Sequence, residues 1–242
     1  MGIGQGYNNF TMLQLASATA TLVSGGQRFK PRLVREIEDV VTRARRGVAN
    51  DAMEPLSLQP SHVQLIRRAL YGVTQDGTSA RVFRGAAYQS GGKTGTAQAV
   101  GVRQNEKYNA AKLEEHKRDH SLYIAFAPLD VPTVALAVVV ENAGFGADAA
   151  APIARRVFDY LQLGLYPSKE DMALTRIGKA GPPVGIPRQA ETVPLPGATI
   201  MLGNPNSNQQ IVPLAVTDIP LINAGPAIAS PVAVINAPRS TQ

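Results

Sequence analysis

The sequence predicts an α+β fold in which an antiparallel sheet packs against helices. Residues 122–127 and 133–140 are apolar on both faces, as strands in the middle of a covered sheet are, and the five residues between them suit an antiparallel hairpin. Around this hairpin, apolar residues recur at helical spacing, which gives the order helix, strand, helix, strand, hairpin, helix. The hydrophobic content of 44% is sufficient for a core, and the aromatic content of 5% makes that core aliphatic.

The first predicted helix begins at Phe10, after a turn-rich opening, and ends at Gly25 and Gly26. Its apolar face consists of Met12, Leu15, Ala16, Thr19, Leu22 and Val23. Residues 32–37 predict a short strand. Residues 42–54 contain three arginines and predict an exposed connection.

The second predicted helix follows Pro60 and Ser61, with Gln64 placed three residues after Ser61 as in a capping box. Its apolar stripe consists of Val63, Ile66, Leu70 and Val73. We expect the helix to end within residues 72–77, where a turn sequence begins. Residues 79–90 are loosely patterned and lead into a glycine-rich stretch.

The third predicted helix has Pro152 near its start, where the missing N–H of proline costs nothing, and it ends at Gly164. Its apolar face consists of Ile153, Val157, Tyr160 and Leu161. Residues 103–119 carry charges of both signs and predict an exposed loop with a short helix around residues 110–115.

The composition changes after about Gly178. Eleven of the 18 prolines lie beyond that residue, and the chain has no aromatic residue after Tyr166. Short apolar clusters such as residues 232–235 are interrupted by proline and asparagine before they can form a layer. We therefore expect a folded part at residues 1–166 and a Pro-rich flexible tail at residues 167–242, with a partner-binding segment as the alternative for the tail.

The formal charge of +6 comes from Lys and Arg spread over the whole length, which indicates a basic surface and no nucleic-acid groove. The absence of cysteine excludes disulfides and thiolate metal sites. The three histidines, which lack an acidic partner at metal-ligand spacing, are His62, His116 and His120. We expect no metal and no cofactor. The chain shows no signal peptide, and its apolar run at 134–140 is too short to cross a bilayer.

Residues 91–98 read Gly-Gly-Lys-Thr-Gly-Thr-Ala-Gln and are the strongest functional signal. Lys93 offers a cation, Thr94 and Thr96 offer hydroxyls, and glycine lets a ligand backbone approach, so this chemistry suits a carboxylate or a phosphate. A phosphate-binding loop needs a buried strand before it and a helix after it. Residues 81–86 are too polar for that strand and the residues after Thr94 begin a helix poorly, so the context argues against nucleotide binding.

Two further motif matches have the wrong context. Ser90 and Lys93 fit the S-x-x-K pattern of serine acyltransferases, but the two glycines between them do not form the helical turn which that pattern requires. Tyr7 and Asn9 fit a Y-x-N pattern by chance. Read as a strand, the stretch could accept an extended peptide alongside it, whose carboxylate the lysine and threonines would hold. A tight turn with an exposed lysine is the alternative.

The stretch resembles the K-T-G-T signature of penicillin-binding protein transpeptidases. The flanking segments resemble the same domain in the same order: GIGQGY, MLQLA, SGG, KPRLV, QDGTSAR, GGKTGTAQ, YIAFAP, VVVEN and AAPIARRVFDYL. The resemblance covers residues 2–166 and is greatest to the class B, elongation-type penicillin-binding protein 2. It implies a partial penicillin-binding-protein/serine β-lactamase-like transpeptidase fold.

The resemblance implies a serine D,D-transpeptidase that cross-links peptidoglycan stem peptides ending in D-Ala-D-Ala and is acylated by β-lactams. Lys93 would be the catalytic residue that assists proton transfer. Thr94 and Thr96 would bind the substrate carboxylate, Gly95 would keep the strand open, and the Thr96 N–H would belong to the oxyanion hole. The implied location is the periplasmic face of the bacterial inner membrane, with elongation-complex membrane proteins as partners and no nucleic acid.

The chain departs from the family in two respects: we expect it to lack both the N-terminal membrane anchor and the motifs that carry the nucleophile. The nucleophile motif S-x-x-K and the second motif S-x-N lie upstream of the glycine-rich opening in the family, and neither is here in usable form. We therefore expect the C-terminal part of a transpeptidase domain, with Met1 an internal or mis-assigned start, that neither acylates nor turns over. The alternatives are a non-catalytic cell-wall interaction fragment and a relative of serine β-lactamases or D,D-carboxypeptidases.

Overall fold

The computed structural model describes residues 9–101 and 109–189, residue 193, and the backbone of residues 234 and 235. Its helices are α1 Met12–Val23, α2 Pro60–Gln75, α3 Ala80–Phe83, α4 Ala150–Leu163 and α5 Lys169–Arg176. Its strands are β1 Arg28–Phe29, β2 Glu36–Glu38, β3 Arg45–Gly47, β4 Ala52–Met53, β5 Gly91–Ala97, β6 His120–Ala127, β7 Val134–Val140, β8 Leu165–Tyr166, β9 Arg188–Gln189 and β10 Val234–Ile235. None of the helices in these described ranges is both long and apolar enough to cross a membrane.

The main sheet has the order β10-β7-β6-β5, and every neighbouring pair is antiparallel. The predicted hairpin is confirmed as β6 and β7, which pair from Ser121 opposite Val140 to Ala127 opposite Val134. Most of β7 is buried, because helices cover both faces of the sheet.

Successive residues of β6 face different helices. Tyr123 and Ala125 belong to a buried cluster with Phe158 of α4, whereas Phe126 packs with Val23 of α1. One face of the sheet is therefore covered by α3 and α4, and the other by α1 and α2.

The predicted helices are present as α1, α2 and α4, but Ile66 and Tyr160 of the predicted apolar faces are exposed and the capping box at Ser61 is wrong. Helix α2 begins at Pro60, its N-cap is Gln59, and no side chain caps it. The capping box lies instead on α1, where the Thr11 hydroxyl accepts from the Gln14 N–H and the Gln14 side chain accepts from the Thr11 N–H.

The strand predicted at residues 32–37 is wrong for most of its length. β2 begins only at Glu36, and it pairs with β3 inside the segment that the sequence predicts as a connection. The turn between them is held by Asp39, whose carboxylate accepts from the N–H groups of Val41 and Thr42 and whose pKa is lowered by these bonds. Both strands are exposed, so no hydrophobic alternation marks them.

Two other segments contain short helices, one that the sequence does not predict and one that it does. Residues 80–83, in the loosely patterned stretch, form α3, which buries Val82 and Phe83. The short helix expected around residues 110–115 is present as two 3-10 turns, Ala110–Lys112 and Glu115–Lys117. Residues 103–108 of the expected loop, the preceding residue 102, and residues 1–8 at the turn-rich opening lie outside the described residues.

The structure continues past Tyr166, where the sequence predicts the start of a flexible tail. Helix α5 follows directly, its Asp171 is buried and paired with Arg156 of α4, and β9 pairs with β8. At the far end, β10 pairs with Leu136 and Ala135 of β7, although the sequence predicts no layer there. Residues 190–192, 194–233 and 236–242 lie outside the described residues.

Candidate active-site cleft

The K-T-G-T stretch lies in β5, so the interpretation of this stretch as a strand is confirmed. β5 pairs with β6 along its whole length, from Gly91 opposite Phe126 to Ala97 opposite His120. Within the described residues its other edge has no strand neighbour. An edge strand of this kind offers backbone N–H and C=O groups to an added strand.

Positions 91 and 92 are glycine because a larger residue would not fit against the neighbouring strand. A Cβ atom on Gly91 would lie 2.5 Å from the Phe126 ring, and one on Gly92 would lie 2.3 Å from the Tyr123 hydroxyl. Contacts this short are not tolerated in a packed interior. These two glycines therefore make room for core rings, whereas the sequence interpretation assigned the glycines to ligand approach.

Two hydroxyl groups of the turn after α2 form hydrogen bonds with the main sheet, one to β5 and one to β6. Thr78 Oγ1 lies 2.9 Å from Thr94 Oγ1, and Ser79 Oγ lies 2.8 Å from the Tyr123 hydroxyl. The Ser79 hydroxyl donates to the Val73 carbonyl, so its single proton is used and Tyr123 is the donor to Ser79. Burial raises the pKa of Tyr123 above its usual value, which keeps that donor protonated.

A cleft of ≈ 360 Å³ lies beside β5. Its lining residues are Thr78, Thr94, Gly95, Thr96, Phe145, Gly146, Ala147 and Asp148. The cleft joins three segments: the turn after α2, the edge strand, and the turn that follows β7 and leads into α4.

The turn after β7 lies directly on the sheet because residue 146 is glycine. A Cβ atom there would lie 2.2 Å from the Leu122 carbonyl oxygen and 2.7 Å from that of Gly95. Ser121 holds the same turn, because its hydroxyl donates to the Phe145 carbonyl at 2.9 Å and accepts from the Ala150 N–H at 3.0 Å. The cleft wall is therefore fixed at both ends of this turn.

The structure brings together three of the four predicted site residues. Thr94, Gly95 and Thr96 line the cleft, and all three are half-buried. Lys93 is exposed and is not a lining residue, because successive side chains of a strand point to opposite faces. Its Nζ donates instead to the Thr94 carbonyl at 2.7 Å.

The serine of the S-x-x-K match is buried. Ser90 is 2% exposed and its carbonyl accepts from the Thr74 hydroxyl, while Lys93 stands in solvent. This geometry agrees with the sequence argument, in which the two glycines between Ser90 and Lys93 do not form the required helical turn.

One ion pair stands at the cleft mouth. Arg81 Nη2 lies 3.2 Å from Asp148 Oδ1, and the two side chains are about equally exposed, at 61% and 60%. Asp148 is a lining residue, so this pair connects the α3 side to the far wall. No group of three or more metal-ligating side chains occurs in residues 9–101 and 109–189.

Sequence reasoning missed the cleft residues outside β5. Thr78 lies in the Gln-Asp-Gly-Thr sequence at 75–78 and Gly146 in the glycine-rich sequence at 141–146, and each sequence by itself indicates only a local turn. Their convergence on β5 depends on the folded sheet, and the only available signal was the presence of Gly and Asp in both turns.

The chain is similar to a known domain family and to named bacterial proteins. The profile of the penicillin binding protein transpeptidase domain matches residues 1–159. The peptidoglycan D,D-transpeptidase MrdA of Haemophilus influenzae is 39% identical over 164 residues, which cover 66% of this chain and 25% of that protein. MrdA of Escherichia coli K12 is 34% identical over 171 residues, which cover 68% and 26%. The chain thus spans about a quarter of these relatives.

The chain is also similar to solved structures of penicillin-binding proteins. A Pseudomonas aeruginosa PBP2 in complex with WCK 5153 is 31% identical, with a TM-score of 0.50 over 67% of this chain and 33% of that one. The imipenem acyl-enzyme complex of penicillin-binding protein A from Mycobacterium tuberculosis is 28% identical, with a TM-score of 0.51 over 66% and 32%. The sequence profile, the curated relatives and the fold agree, and the chain belongs to the penicillin-binding protein transpeptidase domain family.

Proposed function

We propose that this chain supplies the K-T-G-T wall of a peptidoglycan D,D-transpeptidase site. The observation that carries the proposal is the outer edge of β5, which lies beside a cleft lined by Thr94 and Thr96. The curated relatives are named for this activity, which favours it over β-lactamase or D,D-carboxypeptidase activity and over a purely structural fragment.

In this proposal a stem peptide lies antiparallel along β5 and pairs with its backbone. The Thr94 and Thr96 hydroxyls bind the C-terminal carboxylate of the D-Ala-D-Ala unit, and Gly95 between them keeps side chains off the strand. The Thr96 N–H stabilises the oxyanion that forms when the D-Ala-D-Ala carbonyl is attacked. A β-lactam uses the same groups, because it also carries a carboxylate next to the reactive carbonyl.

Lys93 acts on the other face of β5. Its ammonium group is exposed there, so it assists proton transfer and charge balance toward a nucleophile presented on that face. The printed sequence has a single S-x-x-K match, which is the buried Ser90, and no S-x-N match. We therefore propose that this chain alone neither acylates nor turns over.

We also propose a place and a partner. A Helicobacter pylori PBP2, 25% identical with a TM-score of 0.50 over 67% of this chain and 26% of that one, was solved in complex with MreC. By family, the chain works at the periplasmic face of the bacterial inner membrane with elongation-complex membrane proteins.

The test uses the full chain and two ligands. Fluorescent penicillin should give no covalent adduct on a denaturing gel, with an intact class B penicillin-binding protein as the positive control. A peptide ending in D-Ala-D-Ala should shift the amide signals of residues 94–96 in an NMR titration, and Thr96→Val should weaken this response. A covalent adduct would overturn the proposed inactivity, and a titration without shifts would overturn the proposed binding site.

A further inference from the structure

The turn between α2 and α3 contacts two walls of the cleft and the buried core behind them. Thr78 reaches the edge strand, Ser79 reaches the buried strand behind it, and Arg81 reaches the far wall. Three side chains within four residues thus connect every segment that forms the cleft. We name residues 78–81 the clamp turn.

The contact of Thr78 decides what the Thr94 hydroxyl can do. A hydroxyl has one proton, so Thr94 can donate to an anion only if it accepts from Thr78. Their 2.9 Å separation allows this direction, with Thr78 as donor. An anion in the cleft favours it, because a carboxylate accepts hydrogen bonds and donates none.

Ser79 anchors the clamp turn to the core. Its side chain accepts from the Tyr123 hydroxyl, and Ser79 is completely buried. Its backbone N–H and its hydroxyl both bond to the Val73 carbonyl at the end of α2. Thr78 therefore has little freedom to move away from β5.

Arg81 controls the charge of the cleft mouth. Asp148 is a lining residue, and its carboxylate would repel an anionic ligand if it stood alone. The guanidinium group at 3.2 Å neutralises it and ties the far wall to the clamp turn.

We propose that Thr78 and Arg81 are positioning residues for a peptide carboxylate. Thr78 orients the Thr94 hydroxyl as a donor, and Arg81 cancels the Asp148 charge. The proposal rests on the carboxylate-binding role of β5 described above and extends it to residues outside the K-T-G-T stretch.

The first test compares Thr78→Val with Thr78→Ser in the full chain. The dissociation constant for a peptide ending in D-Ala-D-Ala, measured by NMR titration, should rise roughly threefold to tenfold in the valine variant, the range for one lost hydrogen bond. The serine variant keeps the hydroxyl and should bind as the parent chain does. Equal binding by the valine variant and the parent would overturn the role of Thr78.

The second test concerns charge. Arg81→Ala should weaken binding of the same peptide about twofold to threefold, since the exposed pair is screened by solvent. Adding Asp148→Asn to that variant should restore binding, because the uncompensated carboxylate is then gone. Failure of the double variant to recover would overturn the charge argument.

A readout without ligand separates this inference from the proposed function. Three-bond couplings of Thr94 in the free chain should show one side-chain rotamer in the parent and in Thr78→Ser, and averaged rotamers in Thr78→Val. If the parent binds no peptide yet shows this pattern, the binding site is wrong and the orienting contact stands. If Thr94 is averaged in the parent, the inference itself is wrong.

Discussion

Gly92 is the residue of β5 that has the least room for change. A methyl group there would overlap the Tyr123 hydroxyl and also lie 2.9 Å from the Ile124 carbonyl oxygen. Gly92→Ala must displace Tyr123 from Ser79, and we expect it to lower the free energy of unfolding by about 1–3 kcal/mol, as overpacked cores do. Urea denaturation of the full chain measures this.

Gly47 offers a matched control for that substitution. It also lies in a strand, but a Cβ atom added there would meet nothing within 4 Å. Gly47→Ala should leave the urea midpoint unchanged. Equal midpoints for Gly92→Ala and the parent chain would show that Tyr123 can move without cost, which contradicts the packing described for β5.

Three residues that line the cleft could be named from the sequence, but the geometry of the cleft could not. A lysine and two threonines among glycines predict an anion site from composition alone, and the resemblance assigned their roles. That Lys93 lies on the face opposite Thr94 follows only once β5 is known to be a regular strand. Asp148 is 67 residues from Arg81, so no local pattern could connect them.

Helix α5 is held to α4 by charge. Arg156 binds Asp171 through two guanidinium nitrogens, with the Nε contact at 3.0 Å, and also donates to the Pro152 and Gly181 carbonyls. Asp171 is 1% exposed. Asp171→Ala leaves a largely buried guanidinium without its carboxylate, so we expect a loss of about 3–5 kcal/mol in urea denaturation.

An exposed ion pair serves as the control for Asp171→Ala. Lys117 Nζ lies 2.8 Å from the Glu114 carboxylate, and Glu114 is 66% exposed. Glu114→Gln should not change the urea midpoint measurably, because solvent screens such pairs. If Asp171→Ala behaves the same way, α5 is not anchored by this pair and the expected tail would begin near residue 167.

The elements that the sequence predicts are those with a clear apolar pattern. β6 and β7 are short, continuous apolar runs and α4 has apolar residues at helical spacing, so their existence could be inferred. β2 and β3 are exposed on both faces, and α5 is held by a buried ion pair, so none of these three elements has a hydrophobic pattern to find.

The two outer edges of the main sheet differ in how far they are covered by another strand. In the described residues β5 presents an edge without a strand neighbour, which suits peptide addition. At the opposite edge, β10 covers only Leu136 and Ala135 of the seven residues of β7. An uncovered apolar edge invites pairing with other chains, so β10 protects β7 over part of its length.

Disrupting β10 should therefore expose β7. Proline lacks the backbone N–H and does not fit an ordinary ladder position, so Val234→Pro should break the pairing. Hydrogen–deuterium exchange of peptides covering residues 134–137 should then be faster in the full-length variant than in the parent. Val234→Ile, which keeps the N–H and the strand preference, should exchange as the parent does. Unchanged exchange in the proline variant would mean that Val234 and Ile235 do not cover β7 in solution, and that this edge is open to a strand from another molecule.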